Sequence, residues 1–187
     1  MGCDIHLFLE KRRKDVVNST WYACKMTDTP RKEWSDRDYS MFSILANVRS
    51  YGRDKHIKIK GFPKDASDCV KWSYCYELIP DESYDEEEYE ERSENWGTHY
   101  CSESKGDEYI REGLSIEICQ MGGHRFISYP DYHSPNWCIA EELEDCIESV
   151  SRRVYQVSEE WLALLSAMKA IESTGFYECR AVFWFDN

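Results

Sequence analysis

Asp4 and His6 stand two residues apart near the start of the chain. On a strand, positions i and i+2 share a face. A carboxylate beside an imidazole can share a metal ion with it, or orient it as a base. A second group lies late in the chain. His124 follows Gly122-Gly123, and Asp131 and His133 sit between Pro130 and Pro135, which make a stiff mount for polar side chains. Two histidines with carboxylates suffice chemically for a zinc, manganese or iron site. Asp186 joins them if the last strand runs beside the first. The expected metal set is therefore Asp4, His6, Asp131, His133 and Asp186. It would hold a divalent ion, zinc or manganese, and generate hydroxide near neutral pH. Arg37 and Arg49 flank one expected helix and are the expected catalytic cations, set to neutralise phosphate oxygens. Plainer roles exist for each group: a rim histidine bonded to a nearby acid, a loop held by Tyr129, Tyr132 and Trp137, a solvated Asp186, and arginines in surface ion pairs.

The elements that must carry these residues can be read from periodicity. Asp4 to Glu10 reads as a strand with Ile5, Leu7 and Leu9 on one side and Asp4, His6 and Phe8 on the other. After a charged turn, Trp21 to Met26 is the expected return strand. Ser35 followed by Asp38 fits a capping box, predicting a helix through about Ser50. Asp65 or Ser67 is the expected cap of a second helix running through Leu78. Leu114 to Met121 reads as a short strand, and Tyr129 to Trp137 as a loop broken by its prolines. Ile139 to Val150 and a Ser158-capped stretch through Thr174 read as helices, with Gly175 at the C′ position. Cys179 to Phe185 is almost continuously apolar around Arg180, which predicts a central strand. Together these predict an α+β fold: a single domain over 1–187, with a mixed or antiparallel sheet holding the N- and C-terminal strands and helices packed on one face. The acidic segment 80–112 reads as an inserted or mobile part.

Charge narrows the function classes. The 187 residues carry a net charge of −13, with balances of +5 over 1–76, −12 over 77–117 and −6 over 118–187. Such a field disfavours binding of duplex nucleic acid. No apolar run approaches the roughly 18 residues of a membrane span, and Met1 to Glu10 lacks the pattern of a signal peptide. The nine cysteines include no C-x-x-C pair, so reduced thiols are expected. Phosphate-binding glycine loops and the common hydrolase signatures are absent.

The opening Met1-Gly2-Cys3-Asp4-Ile5-His6 with Glu10 resembles a family of uncharacterised bacteriophage and prophage proteins. So do Arg37-Asp38-Tyr39-Ser40-Met41-Phe42 with Leu45 to Arg49, Gly61-Phe62-Pro63 with Asp65 to Ser67, His133-Ser134 before Trp137, and Val182 to Asn187. Asp38 stands where the family pattern has Asn, and the acidic run lies outside the resemblance. The resemblance implies a phage origin and the cytoplasm of an infected bacterium, and it implies no activity. It directs attention to Asp4, His6, Glu10, Arg37, Arg49, Asp65, His133 and Asp186.

Two functions are expected from these residues. One is a metal-dependent hydrolase acting on a phosphodiester or nucleotide, with a phosphate-containing small molecule as its ligand. The other is a non-enzymatic acidic inhibitor or nucleic-acid mimic, binding a host protein through Asp81 to Glu94 with Tyr84, Tyr89 and Trp96 interleaved. A nucleotide-binding sponge using arginines and aromatics is the third option.

Overall fold

The computed structural model describes residues 3–24, 38–50, 57–96, 98–152 and 157–186. The chain forms two compact units: residues 68–132 make one, and the segments before and after make the other. The fold is of the α+β class. No helix among the described residues is long and apolar enough to cross a membrane.

The first unit is built on an antiparallel sheet of strands β1 (Asp4–Arg13), β2 (Tyr22–Ala23), β7 (His133–Cys138) and β8 (Tyr177–Asp186), in the order β2-β1-β8-β7. β1 and β8 pair over their whole length, from Asp4 opposite Asp186 to Arg13 opposite Tyr177. Alternation then sorts the side chains. Ile5, Leu9, Cys179, Ala181, Phe183 and Phe185 point to one face and are buried with residues of helices α1 (Tyr39–Ala46), α5 (Ala140–Ser151) and α6 (Glu159–Ser173). Ile5, Leu9, Phe183 and Phe185 each contribute about 1.5–3 kcal/mol, the smaller Cys179 and Ala181 less. Asp4, His6, Phe8, Glu10 and Arg12 share the other face with Glu178, Arg180, Val182, Trp184 and Asp186.

Several ends differ from expectation. The cap of α1 is Asp38, whose carboxylate accepts hydrogen bonds from the Ser40 and Met41 amides at 3.1 Å, while Ser35 lies outside the described residues. Ser158 stands at the cap position of α6 but its side chain makes no capping bond. β7 forms where a loop was expected. It lies at the sheet edge, where a proline is tolerated, and a register shift between His133 and Asn136 accommodates Pro135.

The second unit holds α2 (Asp68–Tyr74), β3 (Cys75–Ile79), α3 (Glu86–Trp96), β4 (His99–Ser102), α4 (Glu103–Arg111), β5 (Glu117–Met121) and β6 (His124–Ser128). Its sheet has the order β4-β3-β6-β5, with β3 parallel to β4 and antiparallel to β6. The helix expected through Leu78 stops at Tyr74. Cys75 pairs with β6, Tyr76 to Leu78 pair on both sides, and Cys75, Leu78 and Ile79 become core. Gly106 lets α4 press onto β3, since a Cβ there would collide with the Leu78 side chain. This unit carries 17 acidic and 5 basic residues, a balance of −12, against −1 for the rest of the chain. All nine acids from Asp81 to Glu94 are exposed.

Candidate functional site

Antiparallel pairing of β1 with β8 brings Asp4, His6 and Asp186 to one corner of the first unit's sheet. His6 Nε2 lies 3.0 Å from Asp186 Oδ2, and the Asp4 amide donates to Asp186 Oδ1 at 3.3 Å. The carboxylate is thus held at both oxygens, and it fixes the imidazole in turn. The His6 ring stacks on Trp184 at 5.7 Å and 11°, and Phe8 and Phe62 contact the same indole. The His6 side chain keeps 17% of its surface exposed and that of Asp186 33%. A half-buried dyad of this kind can hold and move a proton.

Cys3 and Arg49 lie at the same end of the sheet. The Cys3 thiol is buried, and burial pushes its pKa up. The Asp186 and Asp4 charges add to this, while the Arg49 charge and hydrogen bond oppose it. Cys3 is therefore a protonated thiol at neutral pH, not a nucleophile. Arg49 adopts a left-handed φ of 55° and its guanidinium stands 4.8 Å over the Tyr39 ring. A non-glycine residue in that conformation is uncommon and marks a spot where surroundings dictate the backbone.

The remaining expected ligands are placed elsewhere. His133 pairs with Phe185, and its ring stacks on that phenyl at 6.0 Å, on the helix-covered face opposite His6. Its Nδ1 contacts Ser134 Oγ at 3.0 Å. The bulge decides this outcome: a regular ladder counted back from Asn136 would have set His133 opposite Asp186. Asp131 is exposed and belongs to the second unit. His124 also belongs there, 3.3 Å from Glu77 Oε1. Arg37 lies outside the described residues. Among the described residues no three His, Cys, Asp or Glu side chains are placed to hold a metal ion.

Beside the dyad, on the same face, lies a charged network: the resemblance directed attention to its acids Glu10 and Asp65, while sequence reasoning missed their partner Arg180. Glu10 and Arg180 are opposite each other in the ladder and 0% and 3% exposed. Arg180 Nε donates to Glu10 Oε2 and its Nη1 to Asp65 Oδ1, both at 2.8 Å. The Trp21 indole donates to Asp65 Oδ2 at 2.9 Å, and the Ser67 amide to Glu10 Oε1 at 2.6 Å. The Arg180 guanidinium lies 4.0 Å from the Trp21 ring centroid and 5.5 Å from that of Trp137, over which Lys60 sits at 3.9 Å. Lys60 also bonds Glu142 and the Trp137 carbonyl, and its amide donates to Asn136 Oδ1. Residues 60–67 thus form a strap tied across the sheet face at both ends, with Phe62 on Trp184 between them. The signal was an arginine within an apolar central strand and a glutamate on the polar face of β1.

Asp65 reports on this strap. Burial raises its pKa, but the hydrogen bond and charge of Arg180, with the Trp21 indole, outweigh that and hold it below the ordinary value. A carboxyl with a depressed folded-state pKa stabilises above its unfolded pKa, and the contribution is lost as pH falls through the folded value. Asp65→Asn is expected to remove part of the stability at neutral pH and to flatten the loss below about pH 4. Because the Asp65 side chain is 59% exposed, the effect is modest, about 1 kcal/mol or less. Urea midpoints of both proteins across that range provide the measurement.

No family model matches the chain, and neither a curated protein nor a solved structure matches it.

Proposed function

We propose that the chain binds a phosphate-bearing small molecule at the Asp4–His6–Asp186 corner and hydrolyses it as a phosphodiester or nucleotide. The observation that carries this reading is the His6–Asp186 pair, with Asp186 held in turn by the Asp4 amide. His6 takes a proton from the water as its oxygen bonds to phosphorus, Asp186 stabilises the imidazolium, and the imidazolium returns the proton to the leaving oxygen as that P–O bond breaks. Arg49, at the same end of the sheet, meets the charge on phosphate. A zinc or manganese ion, where bound, would be held by His6 and Asp186 and would supply positive charge to the phosphate, with His6 then acting as a ligand in place of a base. On the resemblance to phage proteins, the setting is the cytoplasm of an infected bacterium.

The test is hydrolysis of a nucleotide panel and of an activated phosphodiester, run with manganese, with zinc and with chelator. His6→Ala and Asp186→Asn are expected to lower turnover by about 10²–10⁴-fold, with both proteins still folded by circular dichroism. Full turnover by His6→Ala, or none by the parent chain in any arm, removes the reading. Turnover that survives chelation removes the metal from it.

The acidic second unit favours a second reading, capture of a host protein through a basic groove. Its support is the nine exposed acids from Asp81 to Glu94, of which Glu88 pairs with Arg92. Uncompensated charge of one sign speeds encounter with a basic partner.

A further inference from the structure

Two turns meet at one tip of the first unit. The Lys14 amide donates to the Phe176 carbonyl at 2.9 Å, which joins the turn after β1 to the turn before β8. Asn18 and Gly175 take left-handed φ angles of 60° and 75°, which keeps both turns tight. The joined turns present Val16, Val17 and Phe176 at 47%, 89% and 58% exposure. One exposed valine is ordinary, whereas three apolar side chains gathered at a tip point to a contact surface. The flanking charge is basic. Arg12 pairs with Glu178 and Arg13 with Asp15, which leaves Lys11 and Lys14 outside the ion pairs among the described residues. Lys11 lies 5.0 Å from the Tyr177 ring centroid.

The complementary surface is carried by the same chain. On α3, Glu86, Glu87, Glu90, Glu91 and Glu94 are exposed, and Tyr84 and Tyr89 stack at 5.4 Å beside them. We infer that the Val16–Val17–Phe176 tip docks on the acidic helix α3 of a second copy. Lysines at the rim meet carboxylates, and the apolar tip covers tyrosine. The tip and the helix are different patches, so the contact is head-to-tail, and a dimer is left with one unused helix on one copy and one unused tip on the other. Exposed charges supply much of the attraction, so added salt weakens it. This inference is independent of the His6–Asp186 reading.

Sedimentation velocity over a concentration series, at low and high salt, tests it with surface variants that leave the core intact. At low salt the parent chain is expected to show a weight-average mass rising above the 22.2 kDa of one copy, and to fall back to it at high salt. Val17→Asp/Phe176→Ser and Glu87→Lys/Glu91→Lys are each expected to stay monomeric alone. An equimolar mixture of the two is expected to form dimers and stop there, since one protein keeps its tip and the other its helix. A parent chain that is monomeric throughout, a tip variant that associates like the parent, or association untouched by the α3 changes overturns the inference.

Discussion

An Arg180→Met variant is expected to lose about 3–5 kcal/mol of unfolding free energy at neutral pH. Arg180 is 3% exposed and faces Glu10, which is fully buried. Removing the guanidinium leaves the Glu10 carboxylate in the interior with the Ser67 amide as its remaining hydrogen-bond donor among the described residues. The loss measures the stranded charge more than the worth of the pair, because two desolvated ions recover little beyond their own dehydration. Glu10→Leu/Arg180→Met is therefore expected to regain much of the lost stability, a coupling of roughly 0.5–3 kcal/mol. Urea denaturation of the parent, both single variants and the double variant closes the cycle. An Arg180→Met protein within about 0.5 kcal/mol of the parent would show that the buried pair does not hold the strap to the sheet.

Phe185→Ala is expected to cost about 3–5 kcal/mol. The phenyl is fully buried, edge-on to Phe42 at 5.0 Å and near-perpendicular to Phe183 at 6.1 Å, with the His133 ring on it. Truncation opens a void that neighbours on two strands and a helix cannot close. The residue also precedes Asp186, so its loss loosens the end of β8 that anchors His6. Under the proposed function, the variant should lose turnover even under conditions where it stays folded. Phe176→Ala is the control: at 58% exposure it should stay within about 0.5 kcal/mol of the parent. Equal costs for the two would contradict the burial described above.

The first and last strands were legible because strong alternation in β1 and an apolar run in β8 leave few alternatives. Their pairing, once granted, placed Asp186 beside Asp4 and His6. Residues 70–79 were not legible in the same way. Val70, Tyr74 and Leu78 recur at helical spacing, and only the tertiary pairing of Cys75 to Ile79 with β4 and β6 converts their second half to strand. The late loop failed for a subtler reason. Proline in a run argues against a strand unless the run lies at an edge, and edge position is a property of the assembled sheet. The bulge in β7 then fixed which side chain faces the helices, and one extra residue separates His133 from His6. No spacing in the sequence announces such a shift. Glu10 and Arg180 carried a readable signal, a pair of opposite charges on strands that were both expected, but it emerges only when the register is known.

The pairing of β1 with β8 also sets the order in which the molecule can be assembled. Asp4 finds its cross-strand neighbour 182 positions downstream, so during synthesis β1 has only its short pairing with β2, at Glu10 and Lys11, until the closing strand leaves the ribosome. Residues 68–132 contain both sides of every strand pair in their own sheet and need not wait. Contacts so distant along the chain make for slow folding. In the interval Ile5, Leu7 and Leu9 lack the cover that β8 and the last two helices give them.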